Sequence, residues 1–138
     1  MNSKIKVLTV ILALSSFAFS SAELETCALG EARGEGVKGM RAIVSAIENR
    51  KTLSGVYGCR ADLSRVTPEE RKLARAARRQ AHAGRDITIG ADHWGNAADV
   101  KIFKRSAWFK NCKQTAKIGG HYFFKCTKPT TKQNRRTK

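Results

Sequence analysis

Acidic residues are scarce in this sequence of 138 residues. Asp and Glu number 11 against 27 Lys and Arg, which gives a formal net charge of +16. The scarcity leaves few carboxylates for catalysis, and the positive charge predicts a polyanionic partner. Nucleic acid is the usual partner of a small basic protein, but the N-terminal segment argues for a different one.

The sequence also lacks an apolar run long enough to span a bilayer comfortably. The longest run extends from Val7 to Phe19, follows two lysines and precedes the small residues Ser20-Ser21-Ala22. This order is typical of a secretory signal peptide. We therefore predict a signal peptide over residues 1–22 and a periplasmic or extracellular mature protein. An uncleaved or releasable membrane anchor is the alternative.

Close Cys-x-x-Cys pairs are missing as well, and the three histidines are scattered, so the sequence favours neither a metal site nor a cofactor. Four cysteines in a small exported protein predict two disulfides. Three pairings are possible, and spacing alone does not select one. We favour Cys27–Cys59 and Cys112–Cys126, because each bridge closes a loop of modest length.

The length of the chain suits one domain, and a hydrophobic fraction of 41% is sufficient for a core. We assign this domain to residues 23–126 and a flexible basic tail without apolar residues to 127–138. Outside the cytoplasm the available polyanions are envelope polymers and anionic lipids. We therefore expect these as partners of the basic surface, no nucleic acid as a physiological partner, and a monomer.

Three helices are predicted by their patterns. They cover residues 23–33, 37–50, where apolar residues recur at helical spacing, and 68–83, where Thr67-Pro68-Glu69-Glu70 is a capping box. Residues 51–66 read as an ordered loop. Beyond them we predict a strand at 87–91, an extended piece at 102–103, a helical turn near Trp108 and a terminal strand at 118–124.

Two glutamates stand out among the few acids. Glu31 and Glu35 flank Arg33 in the segment E-A-R-G-E. A carboxyl group that faces a cleft can have its pKa raised by desolvation, and it then donates a proton to a glycosidic oxygen. The spacing alone equally fits two solvated glutamates beside an arginine. Asp62, Asp86, Asp92 and Asp99 are the other candidates for a second catalytic carboxylate.

Four blocks of the sequence, in order, resemble a known family. They are Cys27–Glu35 with E-A-R-G-E, Gly39–Arg50 with G-x-x-A-I-x-x-A-I-x-N-R, Gly90-Ala91-Asp92-His93-Trp94, and Trp108 followed by Ile118-Gly119-x-His121-x-Phe123-Phe124. Together they are similar to the SleB-type cell wall hydrolases, the catalytic domain of spore cortex-lytic enzymes. The resemblance spans roughly residues 27–124.

This resemblance implies a small α+β domain, mostly helical and lysozyme-like, with a short antiparallel sheet. It implies a lytic transglycosylase or muramidase that cleaves peptidoglycan glycan strands, with Glu31 as the general acid and then base. The candidate substrate-binding residues are Glu35, Asp92, His93, Trp94, His121 and Tyr122. Asp92 and Phe124 depart from the family pattern, where threonine and tyrosine are usual, and Asp92 is a possible second carboxylate.

Two other functions compete with glycan cleavage. An amidase would cut the bond between glycan and peptide, but it generally needs zinc or a nucleophile that the sequence does not display. A cationic protein without enzymatic activity would disrupt the envelope, or bind nucleic acid, through charge alone. Within the enzymatic interpretation, wall remodelling by a bacterium and lysis by a phage (an endolysin) both remain open.

Overall fold

The computed structural model describes residues 19–128. The helices and strands follow in the order α1 (Ser21–Ala32), α2 (Gly36–Arg50), α3 (Pro68–Ala83), β1 (His93–Gly95), α4 (Ala97–Phe103), β2 (Cys112–Ile118) and β3 (His121–Cys126). Short 3-10 turns lie at Arg33–Glu35, Tyr57–Arg60 and Ala107–Asn111. The result is one small α+β domain, mostly helical with a short antiparallel sheet, which is the predicted fold class.

The hydrophobic core lies among α1, α2 and α3. The apolar stripe of α2 is fully buried, namely Met40, Ile43, Val44 and Ile47. Leu24 and Leu29 of α1 pack in the same cluster, and α3 contributes the small side chains of Ala74 and Ala77, with Ala81 partly buried against them. Small residues on α3 let its backbone approach α1 and α2 closely. The apolar positions that recur at helical spacing in the sequence are therefore the ones that pack in the core.

The ends of α3 lie where the sequence predicted them. Thr67 accepts a hydrogen bond from the Glu70 backbone N–H, and the Glu70 carboxylate accepts one from the Thr67 N–H. Pro68 occupies the first helical turn, where its missing N–H costs nothing, and the helix ends at Gly84. Glu70 also pairs with Arg33 at 2.7 Å, which ties α3 to the end of α1.

The sheet has the strand order β1-β3-β2, and both pairings are antiparallel. The central strand β3 buries Phe123 completely. The predicted terminal strand is therefore present, entered through Gly119, which has a φ of +58°. Ile118, which the sequence pattern places in that strand, ends β2 instead, and the pattern does not reveal β2.

Both disulfides have the favoured pairing. Cys27 in α1 joins Cys59 in the Tyr57–Arg60 turn, and Cys112 at the start of β2 joins Cys126 at the end of β3. Cys112 and Cys126 are also register partners in the sheet. Each bridge contributes about 3–4 kcal/mol in the chain-entropy picture, which is a large fraction of the stability of a small domain.

The strand predicted at residues 87–91 was wrong. This segment is a turn organised by Asp86, whose carboxylate accepts hydrogen bonds from the Thr88 backbone N–H and hydroxyl and from the Gly90 N–H. Asn49 of α2 donates to the same carboxylate. These local side-chain bonds replace the inter-strand bonds that a β-branched run would otherwise form.

The extended piece predicted at residues 102–103 was also wrong, since both residues lie in α4. Asn96 accepts hydrogen bonds from the N–H groups of Ala98 and Asp99, and the Asp99 carboxylate accepts one from the Asn96 N–H. This capping box was visible in the sequence, but Asn at its first position made it less obvious than the one that opens α3. The predicted helical turn near Trp108 is present as a 3-10 turn.

The predicted signal peptide and tail lie largely outside the described residues. Ser20, at the predicted cleavage site, caps α1 together with Glu23, and Phe19 packs against the core. The helix thus begins two residues before the predicted mature N-terminus. No helix between residues 19 and 128 is both long and apolar enough to cross a membrane.

Candidate active site

A groove with a volume of about 340 Å³ crosses the domain between the α2–α3 connection and the segment from β1 to the third 3-10 turn. Glu31, near the end of α1, lies in it. The remaining lining residues are Arg50, Gly55, Tyr57, His93, Trp94, Gly95, Asp99, Phe103 and Trp108.

Glu31 is held by one donor from each side of the groove. Its Oε1 accepts a hydrogen bond from the Gly58 backbone N–H at 2.6 Å, and its Oε2 accepts one from the Trp94 indole Nε1–H at 3.1 Å. Each carboxylate oxygen has two acceptor positions, so one on each oxygen remains for a proton or a substrate group. The two bonds fix the orientation of the carboxylate without exhausting its capacity.

Two glycines make this arrangement possible. A Cβ atom on Gly58 would lie 2.5 Å from Glu31 Cγ, and one on Gly30 would lie 1.9 Å from the Gly58 carbonyl oxygen. The Tyr57–Arg60 turn therefore contacts α1 backbone to backbone. The Cys27–Cys59 disulfide holds the same two segments together one residue away from Gly58.

Aromatic side chains form the walls of the groove. On one side the Trp108 ring lies 5.2 Å from the His93 ring and 5.3 Å from the Phe103 ring, centroid to centroid, and is 42% exposed. On the other side Tyr57 is 82% exposed. Exposed aromatic rings beside a fixed carboxylate are well suited to stack on the apolar faces of sugar rings.

The fold is similar to two solved bacterial structures. The catalytic domain of the Bacillus cereus SleB protein is 26% identical in sequence and has a TM-score of 0.51, covering 78% of this chain and 88% of that domain. The catalytic domain of the germination-specific lytic transglycosylase SleB from Bacillus anthracis is 27% identical and has a TM-score of 0.54, covering 86% of this chain and 100% of that one. This chain resembles the SleB catalytic domain. No protein-family model and no curated protein matches the sequence.

In this SleB-like domain three of the predicted catalytic and substrate-binding residues line the groove, namely Glu31, His93 and Trp94. Asp99, one of the candidates for a second carboxylate, lines it as well. Glu35 lies elsewhere and joins the start of α2 to the β2–β3 turn. Its Oε1 accepts a hydrogen bond from the Gly120 N–H at 2.8 Å and lies 2.9 Å from His121 Nδ1. Glu35 and His121 thus connect the helical part of the SleB-like domain to its sheet.

Asp92 and Tyr122 are also outside the lining of the groove. Asp92 Oδ1 lies 2.8 Å from His93 Nδ1 and accepts a hydrogen bond from the Cys126 backbone N–H. Asp92 therefore orients the His93 ring without lining the groove itself. Tyr122 pairs with Gly95 across the sheet, and the Lys117 ammonium lies over its ring at 5.1 Å.

One cluster in the described part of the chain has metal-ligand residue types. Asp92, His93 and Cys126 bring their ligand atoms within 4.8 Å of one another. Cys126, however, is bonded to Cys112, so its sulfur is not a thiolate ligand. The two remaining residues are hydrogen-bonded to each other, and the cluster does not fit a metal ion well.

The pKa of three carboxyl groups is lowered, and all three lie outside the groove. For Glu70 the hydrogen bond from Arg33 is the main cause. For Asp62 the main cause is the hydrogen bond from the Ser64 N–H. For Asp86 burial raises the pKa, but hydrogen bonds from Thr88, Asn49 and Gly90 together outweigh it and lower the pKa. These groups have structural roles.

Sequence reasoning missed several residues of the groove. The sequence patterns place Arg50 at the end of a helix, Tyr57 in a loop and Phe103 in an extended piece. Asp99 was considered only as one acid among several. A useful signal for Tyr57 is its position beside Gly58 and Cys59, because a disulfide-bonded loop next to the helix of the candidate acid is a rigid place for a ligand-binding side chain.

Proposed function

We propose that this domain cleaves the glycan strands of peptidoglycan between N-acetylmuramic acid and N-acetylglucosamine, with Glu31 as the general acid and then base. The observation that carries the proposal is the Glu31 carboxylate, held between Gly58 and Trp94 in an aromatic-walled groove. The similarity to a protein described as a lytic transglycosylase supports the class of reaction.

In the first step protonated Glu31 donates its proton to the glycosidic oxygen. The bond from this oxygen to C1 of muramic acid breaks, the N-acetylglucosamine leaves with a free 4-hydroxyl, and positive charge develops at C1 and the ring oxygen. The free acceptor position on each Glu31 oxygen is available for the proton that is transferred. The fixed orientation of the carboxylate reduces the entropy cost of this step.

In the second step the Glu31 carboxylate acts as a base. It accepts the proton of the muramic acid 6-hydroxyl while that oxygen bonds to C1, which gives a 1,6-anhydro product and restores the protonated acid. This route needs one carboxylate. Hydrolysis would use a water in place of the 6-hydroxyl and favours a second carboxylate, for which Asp99 is the candidate because it also lines the groove.

The decisive variant is Glu31→Gln, tested on purified sacculi. Glu25→Gln is the matched control, since Glu25 is on the same helix, is hydrogen-bonded to Arg78 and lies outside the groove. We expect the control to release muropeptides at a rate close to wild type and Glu31→Gln to lose about 10²-fold or more. Substantial release by a folded Glu31→Gln protein would contradict the proposal.

Mass spectrometry of the digest identifies the reaction. Anhydro-muramic ends indicate transglycosylation, whereas reducing ends indicate hydrolysis. New N-terminal alanine amines would mean that the enzyme is an amidase, which contradicts the proposal. Asp99→Asn distinguishes transglycosylation from hydrolysis further, because transglycosylation by Glu31 alone does not need the Asp99 carboxylate.

The charge distribution supports an anionic target. Ten of the 11 Asp and Glu side chains are hydrogen-bonded within the domain, and Glu69 is the exception. Within residues 19–128 only Arg33 and Arg78 among the lysines and arginines form salt bridges. The remaining cations are available to anionic envelope polymers. We place this activity outside the cytoplasmic membrane, where the two disulfides are stable.

A further inference from the structure

Arg50 is a groove residue whose charge is not balanced within the domain. It is the last residue of α2, and its Nη2 donates a hydrogen bond to the Ser54 carbonyl at 2.8 Å. Its Nε is buried and has no hydrogen-bond partner. No acid within residues 19–128 forms a salt bridge with it.

The two carboxylates of the groove do not satisfy Arg50. Glu31 accepts hydrogen bonds from Gly58 and Trp94, and Asp99 accepts one from the N–H of Asn96 in the cap of α4. A guanidinium that lines a groove without an anionic partner is a ready site for a carboxylate, which it binds through paired N–H donors.

Gly55 and Tyr57 complete the same wall. A Cβ atom on Gly55 would lie 3.1 Å from Arg50 Nη2, and its φ of +78° disfavours other residues, so the glycine keeps the approach to the guanidinium open. Tyr57 presents an 82% exposed ring one residue before the Gly58 N–H that binds Glu31. A stacking surface and a carboxylate-binding group therefore lie side by side.

The opposite wall has a different chemistry. Trp94, Phe103 and Trp108 line it with aromatic rings, and none of its lining residues is Lys or Arg. Glu31 lies between the walls, since it is bonded to Gly58 on one side and to Trp94 on the other. The groove is thus cationic on one side of the catalytic carboxylate and not on the other.

We propose that Arg50 and Tyr57 form the subsite for the sugar that bears a carboxylate, the muramic acid residue, with Tyr57 stacked on the ring and Arg50 paired with the carboxylate. The aromatic wall around Trp108 then takes the neutral N-acetylglucosamine, which fixes the direction of the strand across the groove. This inference rests on the proposed function and adds the orientation of its substrate.

The carboxylate has two possible sources. In a strand without peptides it is the lactyl carboxylate of muramic acid itself. In a strand with peptides the lactyl group is an amide, and the carboxylate belongs to the stem peptide. Arg50 recognises a carboxylate in both kinds of strand.

The test measures binding by the full mature protein with its disulfides intact, in a Glu31→Gln background so that no ligand is cleaved. Three probes are compared by calorimetry: a peptide-free tetrasaccharide of alternating N-acetylglucosamine and N-acetylmuramic acid, the same tetrasaccharide with stem peptides, and the neutral chitotetraose. We expect Arg50→Gln to weaken binding of at least one carboxylate-bearing probe about tenfold and to leave chitotetraose unchanged.

Arg41→Gln is the matched control. Arg41 also has a buried Nε without a partner and one hydrogen bond to a backbone carbonyl, that of Arg85, but it does not line the groove. We expect this variant to bind all three probes like its parent. Arg50→Lys retains the charge and should recover part of the affinity, which covers the case in which Arg50→Gln folds poorly.

Tyr57 gives a second, charge-independent readout. Tyr57→Ala should weaken the binding of all three probes, because stacking does not depend on a carboxylate. Tyr57→Phe keeps the aromatic ring and should not weaken it. If Arg50→Gln weakens binding of the peptide-free tetrasaccharide alone, the carboxylate is that of the lactyl group. If it weakens binding of the tetrasaccharide with stem peptides alone, the carboxylate belongs to the stem peptide. Equal effects of Arg50→Gln on all probes, or none on any, would overturn the proposal. Absence of cleavage by the wild type would instead refute the proposed function.

Discussion

The orientation of Glu31 depends on glycines as much as on the carboxylate itself. Gly30 and Gly58 let the backbone of the Tyr57–Arg60 turn reach α1, and only at that distance does the Gly58 N–H meet Glu31 Oε1. A backbone donor has no side-chain entropy to lose, so it holds the Glu31 carboxylate more rigidly than a long polar side chain would.

We expect Gly58→Ala to impair catalysis. The new methyl group would lie 2.5 Å from Glu31 Cγ, so the turn must move away from α1 and the hydrogen bond to Oε1 is lost. The rate of muropeptide release should fall about tenfold or more, since one ionic hydrogen bond and the position of the acid are both affected.

Gly34→Ala is the control for this substitution, because a Cβ on Gly34 meets no atom within 4 Å. Rates are compared well below the unfolding temperature of each variant, which is followed by circular dichroism. Gly58→Ala with the same rate as Gly34→Ala would show that the contact between Gly58 and Glu31 is not needed for catalysis.

At the scale of elements, the loop between α3 and β1 places His93 and Trp94 in the groove. Its organiser is Asp86, whose carboxylate accepts hydrogen bonds from Thr88, Gly90 and Asn49. Asn49 also donates to the Ala91 carbonyl, so α2 holds both ends of the loop. The loop is thus an ordered support for the wall of the groove.

The lowered pKa of Asp86 predicts how stability depends on pH. The ionised carboxylate stabilises the folded state above its ordinary pKa of about 4, and this contribution is lost as the pH falls through the lowered pKa of the folded state. Asp86→Asn should therefore cost about 1–3 kcal/mol at pH 7, and the difference from wild type should shrink below about pH 4.

Urea denaturation at several pH values measures this difference. Asp62→Asn is the control, since Asp62 is hydrogen-bonded only locally, to Ser64 at the surface, and its effect should be smaller at neutral pH. A cost of Asp86→Asn that stays constant down to pH 2 would show that the ionised carboxylate is not what holds the loop.

For the whole molecule, the dominant property is its charge. The net charge is +16, and within residues 19–128 only Arg33 and Arg78 among the lysines and arginines are paired in salt bridges, so most of the positive charge is not locally cancelled. Long-range attraction of this kind concentrates the protein at an anionic polymer and accelerates association.

We expect binding to sacculi to weaken strongly between about 50 mM and 500 mM NaCl, because the screening length falls from more than 10 Å to a few ångströms. The Glu31→Gln protein, which we expect not to cleave sacculi, and a sedimentation assay separate binding from cleavage. Binding of chitotetraose, which carries no charge, is the control and should not depend on salt. If binding to sacculi did not depend on salt, the affinity for the wall would come from the groove alone.

Much of the fold was predictable because it depends on residues close together in the chain. The apolar stripe of α2, the capping box at Thr67 and the turn at Gly119 each act within a few residues, so their patterns indicate structure directly. The errors at 87–91 and 102–103 arose where short-range signals competed, since an Asp86 turn and an Asn96 cap replaced the extended backbone that the apolar residues favoured.

The identity of Glu31 as the candidate acid was visible from the sequence, but its partners were not. Its two donors are 27 and 63 residues away in the chain, whereas Glu35 bonds to a histidine 86 residues away. Two glutamates of one short motif thus lie in different environments, one in a groove and one between helix and sheet. Only the packing of all elements together decides this, because no local pattern sets which distant backbone N–H or side chain each carboxylate will meet.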